Sequence, residues 1–246
     1  MNAGQYWLVV PAAGRGQRFG GELPKQYLPL RQRSMLEWSL QPFLADAACA
    51  AAVVAVAADD VHWAGVQARL GARVRAVHGG AERADSVFAA LDALRASGVA
   101  EQAWVLVHDA ARPCVTAGEI LALRNTVARH ATGSPLDGGL LALPLADTLK
   151  RGEAHEHGVR VSATVPRESL WRALTPQMFR LGALHAALAA ARSAGRTPTD
   201  EAQAIEWAGG APRLVAGEAT NLKVTTPADF ALAAQILEST EFSGER

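Results

Sequence analysis

A chain of 246 residues, half of them hydrophobic, is long enough for one large α/β domain with a sizeable core. Twenty-four Lys and Arg balance 24 Asp and Glu, so the formal net charge is zero. That balance argues against nucleic acid or an anionic membrane as the main partner and favours small, locally bound ligands.

Taken in chain order, the first apolar run, Tyr6 to Val10, follows no basic stretch and is too short for a signal-peptide core or a membrane span. A cytoplasmic chain is expected. Trp7 to Val10, Val53 to Ala57, Val74 to Val77 and Trp104 to Val107 are short, Val-rich runs of the kind buried on both faces of a parallel sheet. Between them lie helical patterns: Ser34 caps a helix through Met35, Leu36, Trp38 and Leu40, Val61 to Leu70 follows two aspartates, and Asp85 to Ser97 carries Val87, Phe88, Leu91 and Leu94. This βαβαβαβ order predicts an α/β fold with a doubly wound, mostly parallel sheet. Ligands then bind outside the carboxyl ends of its strands.

Thr116 to His130 reads as a further helix and Leu140 to Leu145 as a strand. Residues 147–171 change character, with charged turn material at Arg151 to Gly158 between two strand-like runs, so they read as a hairpin arm with little core of its own. Thr175-Pro176-Gln177 reads as a turn. Leu181 to Ala194 and Asp200 to Trp207 are helices, Arg213 to Val215 a strand, and Pro227 to Leu237 a closing helix with Pro in its first turn. No repeat or linker divides the chain, so residues 1–246 read as a single domain from which 147–171 protrude. Cys49 and Cys114 match no zinc or redox spacing. His155 and His157, beside Glu153 and Glu156, read as the solvated tip of the arm rather than a metal site.

The first strand runs into Pro11-Ala12-Ala13-Gly14-Arg15-Gly16-Gln17-Arg18-Phe19-Gly20, and Pro24-Lys25-Gln26-Tyr27 follows. Gly14, Gly16 and Gly20 let backbone N–H groups approach phosphate oxygens, while Arg15, Arg18 and Lys25 add positive charge to the same loop. The spacing is neither that of a dinucleotide fingerprint nor that of a Walker loop, which disfavours hydride transfer and P-loop hydrolysis. Three of the 24 basic residues are lysines: Lys25, Lys150 and Lys223. In a chain that otherwise chooses Arg, a retained Lys points to a place that needs a compact ammonium rather than a planar fork.

The loop PAAGxGxRFGxxxPKQY resembles that of nucleotidyltransferases that join an alcohol phosphate to a nucleoside triphosphate. With Gly79-Gly80-Ala81-Glu82-Arg83-Ala84-Asp85-Ser86-Val87, Val107-His108-Asp109-Ala110-Ala111-Arg112-Pro113, Ala173-Leu174-Thr175-Pro176-Gln177 and Asn221-Leu222-Lys223-Val224-Thr225, the chain is similar to the methylerythritol-phosphate cytidylyltransferases of the non-mevalonate isoprenoid pathway. The resemblance runs from Leu8 to about Ala231.

It implies that an oxygen of methylerythritol phosphate attacks the α-phosphorus of CTP, with Arg18 and Lys25 as transition-state cations. By the same resemblance, Ala12, Ala13, Gly14, Gly16 and Ala110 contact the nucleotide, Gly80 and Ser86 read the cytosine, and Asp109 contacts Mg2+. Ser86 is also suited to begin the helix that follows. Arg167 and Lys223 would hold the attacking phosphate, Thr199 and Asp200 would lie near the erythritol hydroxyls, and Thr175 would touch substrate. The resemblance also implies that the arm reaches across to a second copy of the chain, giving a homodimer in which each site borrows from the partner. His108 needs no role in the chemistry, because the attacking phosphate is already an anion. Two departures stand out: Pro166, which stiffens the approach to Arg167, and Ala81, which removes a side chain near the base. The alternatives are the same chemistry on another polyol phosphate, such as ribitol 5-phosphate, and a nucleotide-binding regulatory subunit without catalysis.

Overall fold

The Val-rich runs form the centre of a seven-stranded sheet. The computed structural model describes residues 4–14 and 23–243. β1 (Tyr6–Pro11) leads, past a 3-10 turn (Lys25–Tyr27) and the two-residue strands β2 (Pro29–Leu30) and β3 (Arg33–Ser34), to α1 (Met35–Ala45). Then follow β4 (Cys49–Val56), α2 (Trp63–Leu70), β5 (Val74–His78), α3 (Arg83–Ala96), β6 (Trp104–Val107), α4 (Ala117–Arg129) and β7 (Gly138–Pro144). The antiparallel pair β8 (Leu149–His155) and β9 (Gly158–Val165) stands apart as its own two-stranded sheet. The chain closes with β10 (Trp171–Arg180), α5 (Leu181–Ser193), α6 (Glu201–Trp207), β11 (Arg213–Ala216) and α7 (Pro227–Ser243).

The strand order is β11-β7-β10-β6-β1-β4-β5. The pairs β1–β4, β1–β6, β4–β5 and β7–β11 are parallel, and β10 runs antiparallel to both of its neighbours. The mostly parallel, doubly wound sheet is therefore as expected. The chain turns from β1 toward β4 and β5 and then crosses back to β6, so the sheet reverses its winding between β1 and β6. In open α/β sheets ligands settle in the crevice at such a reversal.

Side chains alternate across this sheet. Leu8 and Val10 of β1 pack with Leu36, Leu40 and Phe43 of α1 and with Ile120 and Leu123 of α4. Val9 faces the other layer, with Leu91 and Leu94 of α3 and Leu184 of α5. All of these are almost completely excluded from water, each side chain contributing about 1.5–3 kcal/mol of transfer free energy. A third cluster joins Leu30, Met35 and Trp38 to Val224, Ala233 and Leu237 and so fastens α7 beside the β1–β6 end of the sheet.

Helix starts obey local chemistry. Ser34 caps α1 and Thr116 caps α4, each in a reciprocal box with Glu37 or Glu119 three residues on. The expected start of α3 at Asp85 moves back to Arg83 with Glu82 as its cap, so Ser86 lies inside the helix and does not begin it. The expected turn at Thr175-Pro176-Gln177 is a larger correction. It lies within the ten-residue strand β10, whose pairing to β7 slips between Ala173 and Gln177. Pro176 donates no backbone hydrogen bond, and the irregular stretch accommodates it.

Candidate active site

Ala12, Ala13 and Gly14 continue β1 beyond the sheet, and Ala12 N–H still reaches Ala55 O at 2.8 Å. Gln26 Nε2 donates to Ala12 O at 2.8 Å, holding the 3-10 turn against this edge. Opposite, at the exit of β5, the backbone of Gly79 lies so close that a Cβ there would fall 2.6 Å from Ala13 Cβ and 2.7 Å from Ser86 Oγ. A side chain on Gly80 would meet Asp85 Cβ at 2.3 Å. Two glycines are thus required for β5 to pass into α3 beside the β1 edge. Gly80 N–H donates to Ser86 Oγ at 3.2 Å, which in turn reaches Glu82 O at 3.3 Å.

Asp109 stands two residues beyond β6. Its Oδ1 accepts from Arg83 Nε at 2.9 Å and its Oδ2 from Lys223 Nζ at 2.9 Å, with Arg112 Nε 3.6 Å from Oδ2. Burial by itself would raise the pKa of this carboxyl; Arg83, Lys223 and Arg112 together hold it far below the usual carboxylate range. Arg83 extends the network, since its Nη1 and Nη2 donate to the two oxygens of Glu201 at 2.6 and 3.1 Å.

Asp109 is oriented from behind by a buried chain. Its N–H donates to Thr175 Oγ1 at 3.1 Å, and Thr175 Oγ1 lies 3.0 Å from His108 Nδ1. His108 Nε2 lies 3.1 Å from Arg112 O. A carbonyl can only accept, so Nε2 carries the proton and the Thr175 hydroxyl donates to Nδ1. Burial depresses the His108 pKa to about 4, and the ring is neutral near pH 7.

Lys223 is delivered by a pinned segment. Arg112 Nη1 donates to Asn221 O at 2.7 Å, and Val224 N–H donates to Ala111 O at 2.8 Å. Lys25 Nζ donates to Val224 O at 2.9 Å. The fully buried Asn221 also donates to Thr175 O at 2.9 Å and to Glu119 Oε1 at 3.2 Å.

Ala12, Ala13, Gly14, Lys25, Gly80, Ser86, Asp109, Ala110 and Lys223 all line one open cleft. Arg18 and Gly16 lie outside the described residues. Four expected site residues sit elsewhere. Arg167 is exposed at the root of the arm, where its guanidinium bonds Ala146 O. Thr175 is buried behind Asp109. Thr199 N–H donates to Gln203 Oε1 at 2.8 Å, and Asp200 caps α6 while accepting from Gln177 Nε2 at 2.9 Å. Sequence reasoning passed over Arg83, Arg112, Glu201 and Asn221. Arg83 and Arg112 stood within quoted motifs, but nothing in local spacing links Arg83 to a carboxylate 118 positions away.

The profile of the family described as 2-C-methyl-D-erythritol 4-phosphate cytidylyltransferase (IspD) matches residues 6–239. The chain belongs to this family. A 2-C-methyl-D-erythritol 4-phosphate cytidylyltransferase from Pseudomonas putida is 50% identical over 225 residues, covering 92% of each chain. One from Halorhodospira halophila is 50% identical over 248 residues, covering 99% of this chain and 98% of that protein. Among solved structures, a 4-diphosphocytidyl-2C-methyl-D-erythritol synthase superposes with a TM-score of 0.80 at 36% identity over 95% of this chain and 99% of that one. The Francisella tularensis 2-C-methyl-D-erythritol 4-phosphate cytidylyltransferase superposes with a TM-score of 0.79 at 30% identity, over 94% and 99%. The fold is thus shared with solved members of the cytidylyltransferase family over nearly the whole chain.

Proposed function

We propose that this cleft is where CTP and 2-C-methyl-D-erythritol 4-phosphate are joined to give 4-diphosphocytidyl-methylerythritol and pyrophosphate. The enzyme is a CTP-dependent cytidylyltransferase of isoprenoid precursor biosynthesis. The observation that carries the assignment of the site is the convergence of Lys25, Asp109 and Lys223 with the glycine-edged backbone of residues 12–14 and 79–80, beyond the carboxyl ends of β1 and β6.

The reaction asks little covalent work of the protein. A phosphate oxygen of the acceptor forms a bond to the α-phosphorus, the bond to the β-phosphate oxygen breaks, and pyrophosphate departs with the electron pair. Charge gathers on the oxygens around phosphorus, and cations fixed in advance stabilise it. Lys25, held by Val224 O, and Arg18 serve that purpose. Gly14 and Gly16 offer backbone N–H groups to the triphosphate, with Ala12, Ala13 and Ala110 beside it. Gly80 and Ser86 meet the base, with no side chain from Ala81 beyond a methyl. Lys223 and Arg167 hold the attacking phosphate; Thr199 and Asp200, engaged at the start of α6 and outside the cleft lining, keep a role toward the polyol only by likeness to the family. Thr175 acts through Asp109 and His108 rather than by direct contact.

The donor set suits Mg2+ only in part, because both Asp109 oxygens already accept, from Arg83 Nε and Lys223 Nζ. A single carboxylate, kept ionised and facing a triphosphate cleft, is the protein share that this cation ordinarily takes. Asp109 would hold it, and once bound it neutralises charge on the phosphate oxygens. The arm supports a homodimer: β8 and β9 are exposed along nearly their whole length, and Val159 and Val161 present apolar side chains that their own chain leaves uncovered. Arg167, at the root of that arm, then serves the site across the interface. No helix among the described residues is long and apolar enough to cross a membrane; a cytoplasmic location agrees with that.

Steady-state assays with CTP and either methylerythritol phosphate or ribitol 5-phosphate test the substrate. The expected result is a kcat/KM for methylerythritol phosphate at least about a hundredfold higher, a discrimination that hydrogen-bonded polyol recognition can supply. A higher value with ribitol phosphate would transfer the assignment to that substrate, and no turnover with either would favour a regulatory subunit.

A further inference from the structure

The Lys223 side chain is 43% exposed, and its ammonium ends a flexible four-carbon stem. Where that ammonium rests is therefore decided by how its backbone is held, and two fasteners hold it. One is the Val224 N–H bond to Ala111 O at 2.8 Å, one residue on. The other is Asn221, two residues before, which is completely buried. Asn221 Nδ2 donates to Thr175 O at 2.9 Å and to Glu119 Oε1 at 3.2 Å. A carbonyl can only accept, so the bond to Thr175 O fixes which way the amide faces. Thr175 lies where β10 slips against β7, between Ala173 and Gln177, and the amide serves its carbonyl in place of a ladder partner. Asn221 O in turn accepts from Arg112 Nη1 at 2.7 Å. One buried residue thus ties the Lys223 segment to β10, to the first turn of α4 and to the loop beyond β6.

We propose that Asn221 is a positioning residue for the acceptor: its amide fixes the backbone from which Lys223 meets the attacking phosphate. An ammonium carries three donors, and one is directed at Asp109 Oδ2 at 2.9 Å, leaving the others for phosphate oxygens in the cleft that Lys223 lines. Thr175, gripped by its carbonyl, also supports Asp109 from behind, since Asp109 N–H donates to its hydroxyl at 3.1 Å. Asn221 therefore registers both members of the Lys223–Asp109 pair. The inference rests on the reading of Lys223 as a cation for the acceptor phosphate.

The test is a kinetic cycle. Asn221→Ala should lower kcat/KM for methylerythritol phosphate, at saturating CTP, about tenfold, since small displacements of an orienting group are costly. The value for CTP, at saturating acceptor, should stay within about twofold of the parent. A residue that merely stabilised the fold would lower both alike, by reducing the amount of folded enzyme. With Lys223→Ala in place, Asn221→Ala should add no more than about a twofold further loss for the acceptor, because the group it positions is gone. An equal fall for both substrates, or the full further loss in the Lys223→Ala background, overturns the inference. If Asn221→Ala does not fold, Asn221→Ser, which keeps a donor at the site, carries the cycle by the same rule. Lys223→Ala alone separates the two levels. An unchanged kcat/KM for the acceptor there removes the reading of Lys223 and the inference with it; a fall there, with Asn221→Ala costing as much on top as it does alone, removes the inference only.

Discussion

His108 occupies the strand end where a catalytic base would sit, yet its surroundings give it another task. Both ring nitrogens are engaged inside the protein, one by the Thr175 hydroxyl and the other by Arg112 O. A proton added to Nδ1 would face a hydroxyl already turned toward it, in a place that water does not reach. Folding therefore opposes protonation, and the consequence is a pH-dependent stability. The folded pKa is about 4 against an ordinary value of 6.5, so between those limits the unfolded chain binds more protons than the folded one. Stability is complete above pH 6.5 and falls as pH drops through the window, by roughly 3 kcal/mol in total. Urea unfolding at pH 7 and pH 4.5 should show that loss in the parent chain and a smaller one in His108→Gln, whose neutral amide does not titrate. Equal losses in both would rule out the ring as the source.

At the scale of elements, the entry to α1 shows how much a short motif decides. Ser34 Oγ receives Glu37 N–H at 3.3 Å, while a Glu37 oxygen accepts from Ser34 N–H at 2.8 Å. Arg69 Nε adds a bond to the same carboxylate at 2.7 Å, tying α2 to α1. Burial opposes ionisation of Glu37, but the hydrogen bonds from Arg69 and Ser34 prevail and bring its pKa down to about 2. Ser34→Ala should cost about 1 kcal/mol and lower Tm by about 2–4 °C, read by thermal melting, with CTP turnover at 25 °C unchanged. A drop in turnover with no drop in Tm would mean that the cap serves the adjoining turn rather than the helix.

Elements such as this one were legible because their signals are local. A Ser three residues ahead of a Glu, or four apolar residues between polar ones, names a cap or a buried strand without outside help. β10 was not legible. Its outer residues, Trp171 to Ala173, are exposed, its inner residues are buried, and Pro176 interrupts the run, so no single periodicity spans it. The cleft divides in the same way. Gly14, Lys25, Asp109 and Lys223 stand in contiguous motifs and line the same cleft, whereas the Glu201–Arg83 pair exists only after α6 has packed against α3 through α5. No spacing rule reaches across such a gap.

For the molecule as a whole, the hairpin of β8 and β9 is the feature that one chain does not explain. A lone two-stranded ribbon is marginal in water, and Val159 and Val161, two residues apart on one face, are 76% and 64% exposed. A second copy of the chain would cover them. Mass measurement in solution should return twice the chain mass, and Val159→Lys with Val161→Lys should move it toward the single chain at micromolar concentration. Turnover should fall in step, as Arg167 loses its place across the interface. A double substitution that remains fully dimeric would remove the arm from the interface.

The antiparallel strand β10 carries a consequence for synthesis. It is the seam between β6 and β7, and it lies more than sixty residues after β6 in the chain. A nascent chain emerging from its N-terminus can assemble β5, β4, β1 and β6, with α1 and α3 on opposite faces, well before β10 exists. Throughout that interval β6 is an open edge with unpaired N–H and C=O groups, the kind of edge to which stray strands attach. The carboxyl side of the same β6 leads to Asp109. Synthesis from the N-terminus thus makes the half-sheet that borders the cleft available first and its flanking strand last, the strand that also seats Thr175 behind Asp109.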